Sequence, residues 1–347
     1  MKIILLTLLL FGGNILSAQI TFIPDSIFEQ NLIDLNYDIF HDGWVITDNI
    51  NSIDSLDISS FNGQTDKITD LTGIEGFTNL QYLNCSNNKF DTLNLNNNQY
   101  LKHIICSSDS IEVLMTDSLF SLDKLQCNSN NITELNLLGN PSLTELGCWD
   151  NQLDNLNLSN NIYLGYLNCG ENNITSLDVS MLDLYDLRCQ NNAISTINLE
   201  NNYSLEWLSC YNNNLQNINL TVNTNLIVLN VGNVSSQPSI YNNDLNSLDL
   251  SNNCNITTFY SKGNANLDCI QVCDISAANN WNTQNIDTQH FFGIDCNYTA
   301  TNEGSEKNQK IISIKDIYGR ESDIHTNSFL FYIYQNGRVK KRIILDN

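Results

Sequence analysis

Basic residues are scarce, and most of them are in the wrong place for a polyanionic partner. The chain of 347 residues has 15 Lys and Arg against 38 Asp and Glu, a formal net charge of −23. Eight of the 15 follow Glu303 and one is Lys2, so Lys67, Lys89, Lys102, Lys124, Arg188 and Lys262 face nearly all the acid of the body. Such a surface repels phosphate backbones and anionic membranes, which excludes nucleic acid as an expected partner. Histidine is also rare: His41, His103, His290 and His325 are scattered along the chain. The chain has no GxSxG, HExxH, phosphate-loop, EF-hand or zinc-spaced Cys/His motif, so neither a cofactor nor an enzymatic activity is expected. Past the N-terminus, no segment has the roughly 20 apolar residues that a membrane span needs.

What is present begins with MKIILLTLLLFGGNILSAQ, which has one lysine, a short apolar run and a small residue near its end. This reads as a secretory signal peptide over residues 1–18, cleaved next to Ala18. The mature chain is then expected to be exported, in a compartment that permits disulfides.

From Leu80 one pattern dominates, L-x-x-L-x-C-x-x-N-x-L-x-x-L-x-L-x-x-N. One unit is Leu80, Leu83, Cys85, Asn88, Phe90, Leu93, Leu95 and Asn98; another is Leu143, Leu146, Cys148, Asn151, Leu153, Leu156, Leu158 and Asn161. Later units begin at Leu164, Leu184, Leu205 and Leu226, and Val231 takes the cysteine place in the last of these. After an insertion at 234–243, Leu245, Leu248 and Leu250 resume the second arm, and Ile256, Phe259 and Ser261 form one further coil. Asp109 stands in an asparagine place, and the unit after Val179 is one residue short. A lone coil cannot bury its leucines, but stacked coils share one core. Alternation at Leu83-x-Cys85 turns both residues inward and Tyr82 and Asn84 outward. The recurring asparagine is expected to form a buried ladder that satisfies backbone groups in the turn.

The pattern over residues 68 to 272 resembles leucine-rich repeats, and more closely the bacterial 21-residue variety called IRREKO, in which both arms of a coil carry the leucine signature. The resemblance implies a β-rich solenoid: a right-handed coil of parallel strands about 43 Å long for nine coils. Residues 20–67 are expected to hold an N-terminal cap and a first irregular coil. Its helix is capped by Asp25 or Ser26, with Phe28, Leu32 and Leu35 on one face. The solenoid runs over 68–265. Residues 266–298 resemble the C-terminal cap of related bacterial proteins, and that resemblance implies a Cys269–Cys296 disulfide. A polar linker covers 299–310. Residues 311–347 read as strands around Gly319 and Gly337. They resemble the C-terminal sorting domain of type IX secretion in Bacteroidetes-type bacteria, through Asp316-Ile317-Tyr318-Gly319-Arg320 and Lys341-Arg342-Ile343-Ile344. The usual glycine of the final hairpin is replaced, because Phe331-Tyr332 stands there. This implies an export address read by the type IX machinery.

Cys85, Cys106, Cys127, Cys148, Cys169, Cys189 and Cys210 recur at steps of 21 or 20 residues. Stacked, in-register positions lie about 4.8 Å apart, too far for the roughly 3.8 Å Cβ separation of a disulfide. Sulfurs in a line cannot make zinc's tetrahedron, and thiols pointing into leucine have no activating base. These cysteines therefore read as small apolar fillers. Cys254 and Cys273 fall at different phases of their coils and are not expected to bond each other.

The outward positions of the cysteine-bearing strands carry the functional signal. Trp149, Tyr166, Tyr185, Trp207 and Tyr211 fall on four successive coils, bordered by Glu145, Asp186, Arg188 and Glu206, whereas the outward positions of the other arm hold no aromatic. Aromatics with polar tips anchor protein and sugar ligands; the alternative is rings that pack on each other between coils. The insertion at 234–243 is placed at the edge of this patch. Glu145 and Glu206 lie three coils apart, about 14 Å by strand spacing, too far for a glycosidase pair. The expectation is a secreted or outer-surface, monomeric, non-enzymatic module that binds an extracellular protein or glycan. A structural spacer without a ligand is the other reading.

Overall fold

A computed structural model describes residues 19–61, 65–232, 243–296, 311–315, 320–321, 328–334 and 339–344. The signal peptide 1–18, nearly all of the 234–243 insertion, the 299–310 linker and Asp316 to Gly319 lie outside the described residues.

The first unit ends at Cys296. Its spine is a parallel sheet of 10 three-residue strands. In chain order these are Ser55–Asp57, Tyr82–Asn84, His103–Ile105, Lys124–Gln126, Glu145–Gly147, Tyr166–Asn168, Asp186–Arg188, Trp207–Ser209, Val228–Asn230 and Thr258–Tyr260. The register is unbroken: Leu56, Leu83, Ile104, Leu125, Leu146, Leu167, Leu187, Leu208, Leu229 and Phe259 stack in one column. The one-residue-short coil after Val179 keeps the register, so its deletion is absorbed in a turn. The molecule is a parallel-strand β-solenoid of the leucine-rich-repeat kind, as the repeat predicts.

All seven ladder cysteines are free and buried, and their neighbours in the core are the leucines of both arms. After each cysteine the chain turns sharply. Asn87, Ser108, Ser129, Asp150, Glu171, Asn191 and Asn212 all take positive φ, between 51° and 64°. That left-handed step turns the next residue inward, and the residue is the ladder asparagine. Asn151 Nδ2 donates to the carbonyls of Cys127 (3.0 Å) and Cys148 (3.1 Å), and its Oδ1 accepts from Ile132 N–H (3.0 Å). Asn130, Asn172, Asn192 and Asn213 repeat this arrangement. Backbone groups that a tight turn cannot pair within itself are thereby satisfied in each coil that carries the asparagine, and after Ser108 that place is held by Asp109. A second row, Asn98, Asn140, Asn161, Asn223 and Asn253, bonds carbonyls at the opposite turn.

The second arm is less regular than the cysteine-bearing one. It pairs as strands at Thr92–Asn94 with Val113–Met115 and again at the C-terminal end. In the middle coils it is extended but not laddered, joined by single bonds such as Gln152 N–H to the Ile132 carbonyl (2.9 Å). Burial of Leu135, Leu156 and Leu177 holds it in place.

At the N-terminal end Ile20–Phe22 pairs antiparallel with Trp44–Ile46. Helix Ser26–Asp34 starts at Asp25, whose Oδ1 accepts from the N–H groups of Ile27 and Phe28 while Oδ2 ties down Thr69. Those hydrogen bonds hold the Asp25 carboxyl below its ordinary pKa, against the opposing effect of burial. Phe28 and Leu32 are buried, but Leu35 ends the helix and is exposed. At the other end, Trp281 lies between Phe259 (4.7 Å between ring centroids) and Phe292 (5.3 Å), over the last ladder coil.

Two disulfides staple that end. Cys269 pairs with Cys296, with Cα atoms 5.8 Å apart. Cys254 pairs with Cys273, with Cα atoms 5.7 Å apart, which corrects the expectation that these two stay apart. The phase argument failed because strand Cys269–Val272 leaves the cysteine column. It stacks on the second-arm strand Leu248–Leu250, matching Leu250 with Val272, and this lowers Cys273 beside the turn that carries Cys254.

The second unit, residues 297 onward, holds a three-stranded antiparallel sheet of Ile311–Lys315, Ser328–Tyr334 and Val339–Ile344.

Candidate functional site

The register sets Glu145, Tyr166, Asp186 and Trp207 side by side on the solvent face of the ladder. Their inward neighbours Leu146, Leu167, Leu187 and Leu208 are fully buried, so the rigid core fixes where each outward side chain starts. Arg188 sits two residues beyond Asp186 on the same strand and same face. Its guanidinium folds back on Asp186 as a two-pronged pair, Nε to Oδ1 at 3.0 Å and an NH2 nitrogen to Oδ2 at 2.8 Å. The same guanidinium lies 4.7 Å from the Trp207 ring centroid and 5.8 Å from that of Tyr166. The cation therefore fills the space between two rings on neighbouring coils, bonded to the carboxylate between them. Such a pair is geometrically stiff, because the planar guanidinium loses little freedom per bond formed. The Asp186 bonds raise the Arg188 pKa further above its already high value.

On the coil before Tyr166, Glu145 Oε1 meets Lys124 Nζ of the preceding coil at 2.6 Å. Tyr185 stands at the start of its strand with its ring laid over Gly165 of the coil before: a Cβ there would fall 2.8 Å from a ring carbon. Burial, with the Glu145 and Asp186 carboxylates next, pushes the Tyr185 phenol above its ordinary pKa. Tyr185 (44 %) and Trp207 (38 %) remain exposed, whereas Asp186 is 9 % exposed. The patch thus presents two open aromatic surfaces beside two internally neutralised ion pairs.

Trp149 and Tyr211 occupy a different row. They follow Cys148 and Cys210, four residues past the Glu145 row position of their coils, about 13 Å along at the strand rise. Gln190 lies over Gly170 between them. The Tyr211 hydroxyl interacts with Asn191 and with the charge of Glu171, and burial raises its pKa. Of the nine residues singled out from sequence, Glu145, Tyr166, Tyr185, Asp186, Arg188 and Trp207 come together, Trp149 and Tyr211 flank them at the turn, and Glu206 stands exposed just before Trp207. Rings stacked on one another do not explain the patch. The ring pairs of the described residues lie at the two ends of the solenoid, and on the ladder face an arginine separates the rings.

A second exposed row escaped the strand-phase reading. Tyr100, Phe120, Ile162, Tyr163, Met181 and Tyr203 project from the turn that leads into the cysteine strand, each more than half exposed. The signal lies three to five residues before the ladder strands, outside the strand phase.

One grouping imitates a hydrolase. His290 Nδ1 is 3.0 Å from Ser261 Oγ, and its Nε2 is 3.7 Å from Asp287 Oδ2. Ser261 and the His290 side chain are both fully buried. No carbonyl substrate reaches that hydroxyl, and burial lowers the His290 pKa. The trio joins the last ladder coil to the cap. Among the described residues no cluster of His, Cys, Asp or Glu could hold a metal ion, and no helix is long and apolar enough to cross a membrane.

Solved leucine-rich-repeat proteins share this architecture. The functional domain of InlJ from Listeria monocytogenes, described as including a cysteine ladder, is 24 % identical with a TM-score of 0.52, over 79 % of this chain and 70 % of that one. A leucine-rich-repeat protein of Leptospira interrogans is 21 % identical with a TM-score of 0.56, over 71 % of this chain and 62 % of that one. Internalin C2 of Listeria monocytogenes is 24 % identical with a TM-score of 0.52, over 60 % of this chain and 96 % of that one. At such identities the likeness shows the fold. No protein-family model and no curated protein matches the chain.

Proposed function

We propose that the protein is a secreted or outer-surface binding module without enzymatic activity, which takes an extracellular protein or glycan on the face built by Glu145, Tyr166, Tyr185, Asp186, Arg188 and Trp207. The observation that carries this reading is the Arg188 guanidinium held between Tyr166 and Trp207 and bonded at both prongs to Asp186. A surface spacer needs no such preorganised cluster. Stiff aromatic and arginine anchors beside satisfied ion pairs are the composition of binding hot spots. We further read the coils as IRREKO-type repeats, on the leucines of both arms, and the C-terminal unit as a type IX sorting domain that takes no part in the binding. The eight basic residues after Glu303 support that division, because they set the tail apart in charge from the acidic body.

The test is a glycan array and an extracellular-protein array probed with wild-type protein and with a Tyr185→Ala, Trp207→Ala double variant. Both side chains are exposed, so the variant should keep the wild-type melting curve. Loss of a hot-spot pair should cost at least about 2 kcal/mol, roughly a 30-fold rise in Kd. Specific binders unaffected by the double change would move the site elsewhere. No binder on either array would favour the spacer.

A further inference from the structure

Asp109 is the single carboxylate in a column of asparagines that runs Asn88, Asp109, Asn130, Asn151, Asn172, Asn192, Asn213, and it is fully buried. Its Oδ1 accepts from Asn88 N–H at 2.6 Å, and its Oδ2 has no partner. In the neighbouring slots the second side-chain atom is an amide nitrogen, and it donates to the cysteine carbonyls of its own coil and of the coil before. Asn130 reaches Cys127 and Cys106, and Asn151 reaches Cys148 and Cys127. In the Asp109 slot the equivalent carbonyls are those of Cys106 and Cys85. An Oδ2 set where those slots have their amide nitrogen would face carbonyl oxygen when ionised and would supply the missing donor when protonated. The backbone marks the same place. Each coil has one left-handed residue after its cysteine, but this coil has a second, Ser110 at φ 74°.

We propose that Asp109 is a proton-operated latch: protonated, it completes the asparagine ladder, and ionised, it loosens the seam between the coil of Cys85 and the coil of Cys106. The titratable groups around it are few. The Cys85 thiol lies on the coil before, where the Lys67 ammonium also bonds the Asn87 carbonyl. The Cys106 thiol lies on its own coil, with Cys127 beyond; on the coil after, the contact is the non-titrating Asn130, whose Oδ1 accepts from Asp109 N–H at 3.0 Å. Burial pushes the Asp109 pKa up to about 7, against the pull of the Asn88 N–H and the Lys67 charge. The latch is therefore closed in mildly acidic surroundings and opens as pH rises through neutrality.

The isosteric Asp109→Asn variant supplies the amide found in the other slots and removes the proton dependence. Amide hydrogen exchange is to be compared between full-length wild type and D109N at matched pH. For the amides of 85–88 and 106–111, the wild-type to variant rate ratio should stay near one at acid pH. That baseline holds below about pH 4; between about pH 4 and about pH 7, where the closed state is protonated and the open state ionised, the ratio should rise roughly tenfold per pH unit, and above that it should level off. Infrared difference spectra should also show a protonated-carboxyl band in wild type at acid pH that D109N lacks. A ratio that stays flat across this range, or a wild type without the band, overturns the proposal.

Discussion

Alanine at position 172 should cost the solenoid about 4–6 kcal/mol, more than any surface change and comparable to emptying a leucine site. Asn172 Nδ2 donates to the carbonyls of Cys148 (3.0 Å), Cys169 (3.2 Å) and Gly170 (3.0 Å), and its Oδ1 accepts from Leu153 N–H (2.9 Å). The three carbonyls keep other donors, Asn151 on Cys148, Asn192 on Cys169 and Asp150 N–H on Gly170. Each therefore loses only a net hydrogen bond of about 1 kcal/mol, while the Leu153 N–H is orphaned at about 1–3 kcal/mol. Because coils touch only their neighbours, a weak interface in mid-rod uncouples the two halves. Calorimetry of Asn172→Ala should show one transition splitting into two. A single, unshifted transition would mean that the column is ornament. Asn172→Asp should instead transplant the Asp109 behaviour. With its folded pKa raised by burial, its stability is fully present below the unfolded value of about 3.9 and is lost as pH rises towards and through the folded value.

How far the sequence told this depends on whether a residue has counterparts in the coils above and below. Leu83, Cys85 and Asn88 have such counterparts, and period alone placed them correctly, because a stacked position has one direction to point. Cys254 and Cys273 do not: the sheet changes partners at Cys269–Val272, and no repeat announces it. In the second arm, leucine burial is written in the sequence but the spacing of backbone bonds is not. On the candidate face, phase gave the row Glu145, Tyr166, Asp186, Trp207. The Arg188 side chain running back along its own strand to lie between two rings is a rotamer outcome, set by the Asp186 carboxylate rather than by any period. Asp109 was visible as a departure from the asparagine rule. Its consequence needed the carbonyl positions around it.

The seven ladder thiols should be silent to a thiol reagent in the native protein, and all seven should appear on unfolding without reductant, rising to 11 only after reduction. Both routes to reaction are slow. Burial pushes Cys127, Cys169 and Cys210 up to about 12, so at about pH 8 the thiolate fraction is on the order of 10⁻⁴, against roughly a quarter for a free cysteine. The other route requires an opening event, and an opening free energy of about 5 kcal/mol alone slows modification by more than 10³-fold. Fewer than seven thiols on unfolding would mean cross-links inside the ladder, and the packing account of the 21-residue period would fail. The order of modification carries further information. If the seam at Asp109 loosens above neutral pH, Cys85 and Cys106 should be the first to react there, and D109N should abolish that precedence while leaving Cys127 through Cys210 as slow as before. Uniform reactivity along the column in both proteins would leave the rod cooperative but deny it a weak point at Asp109.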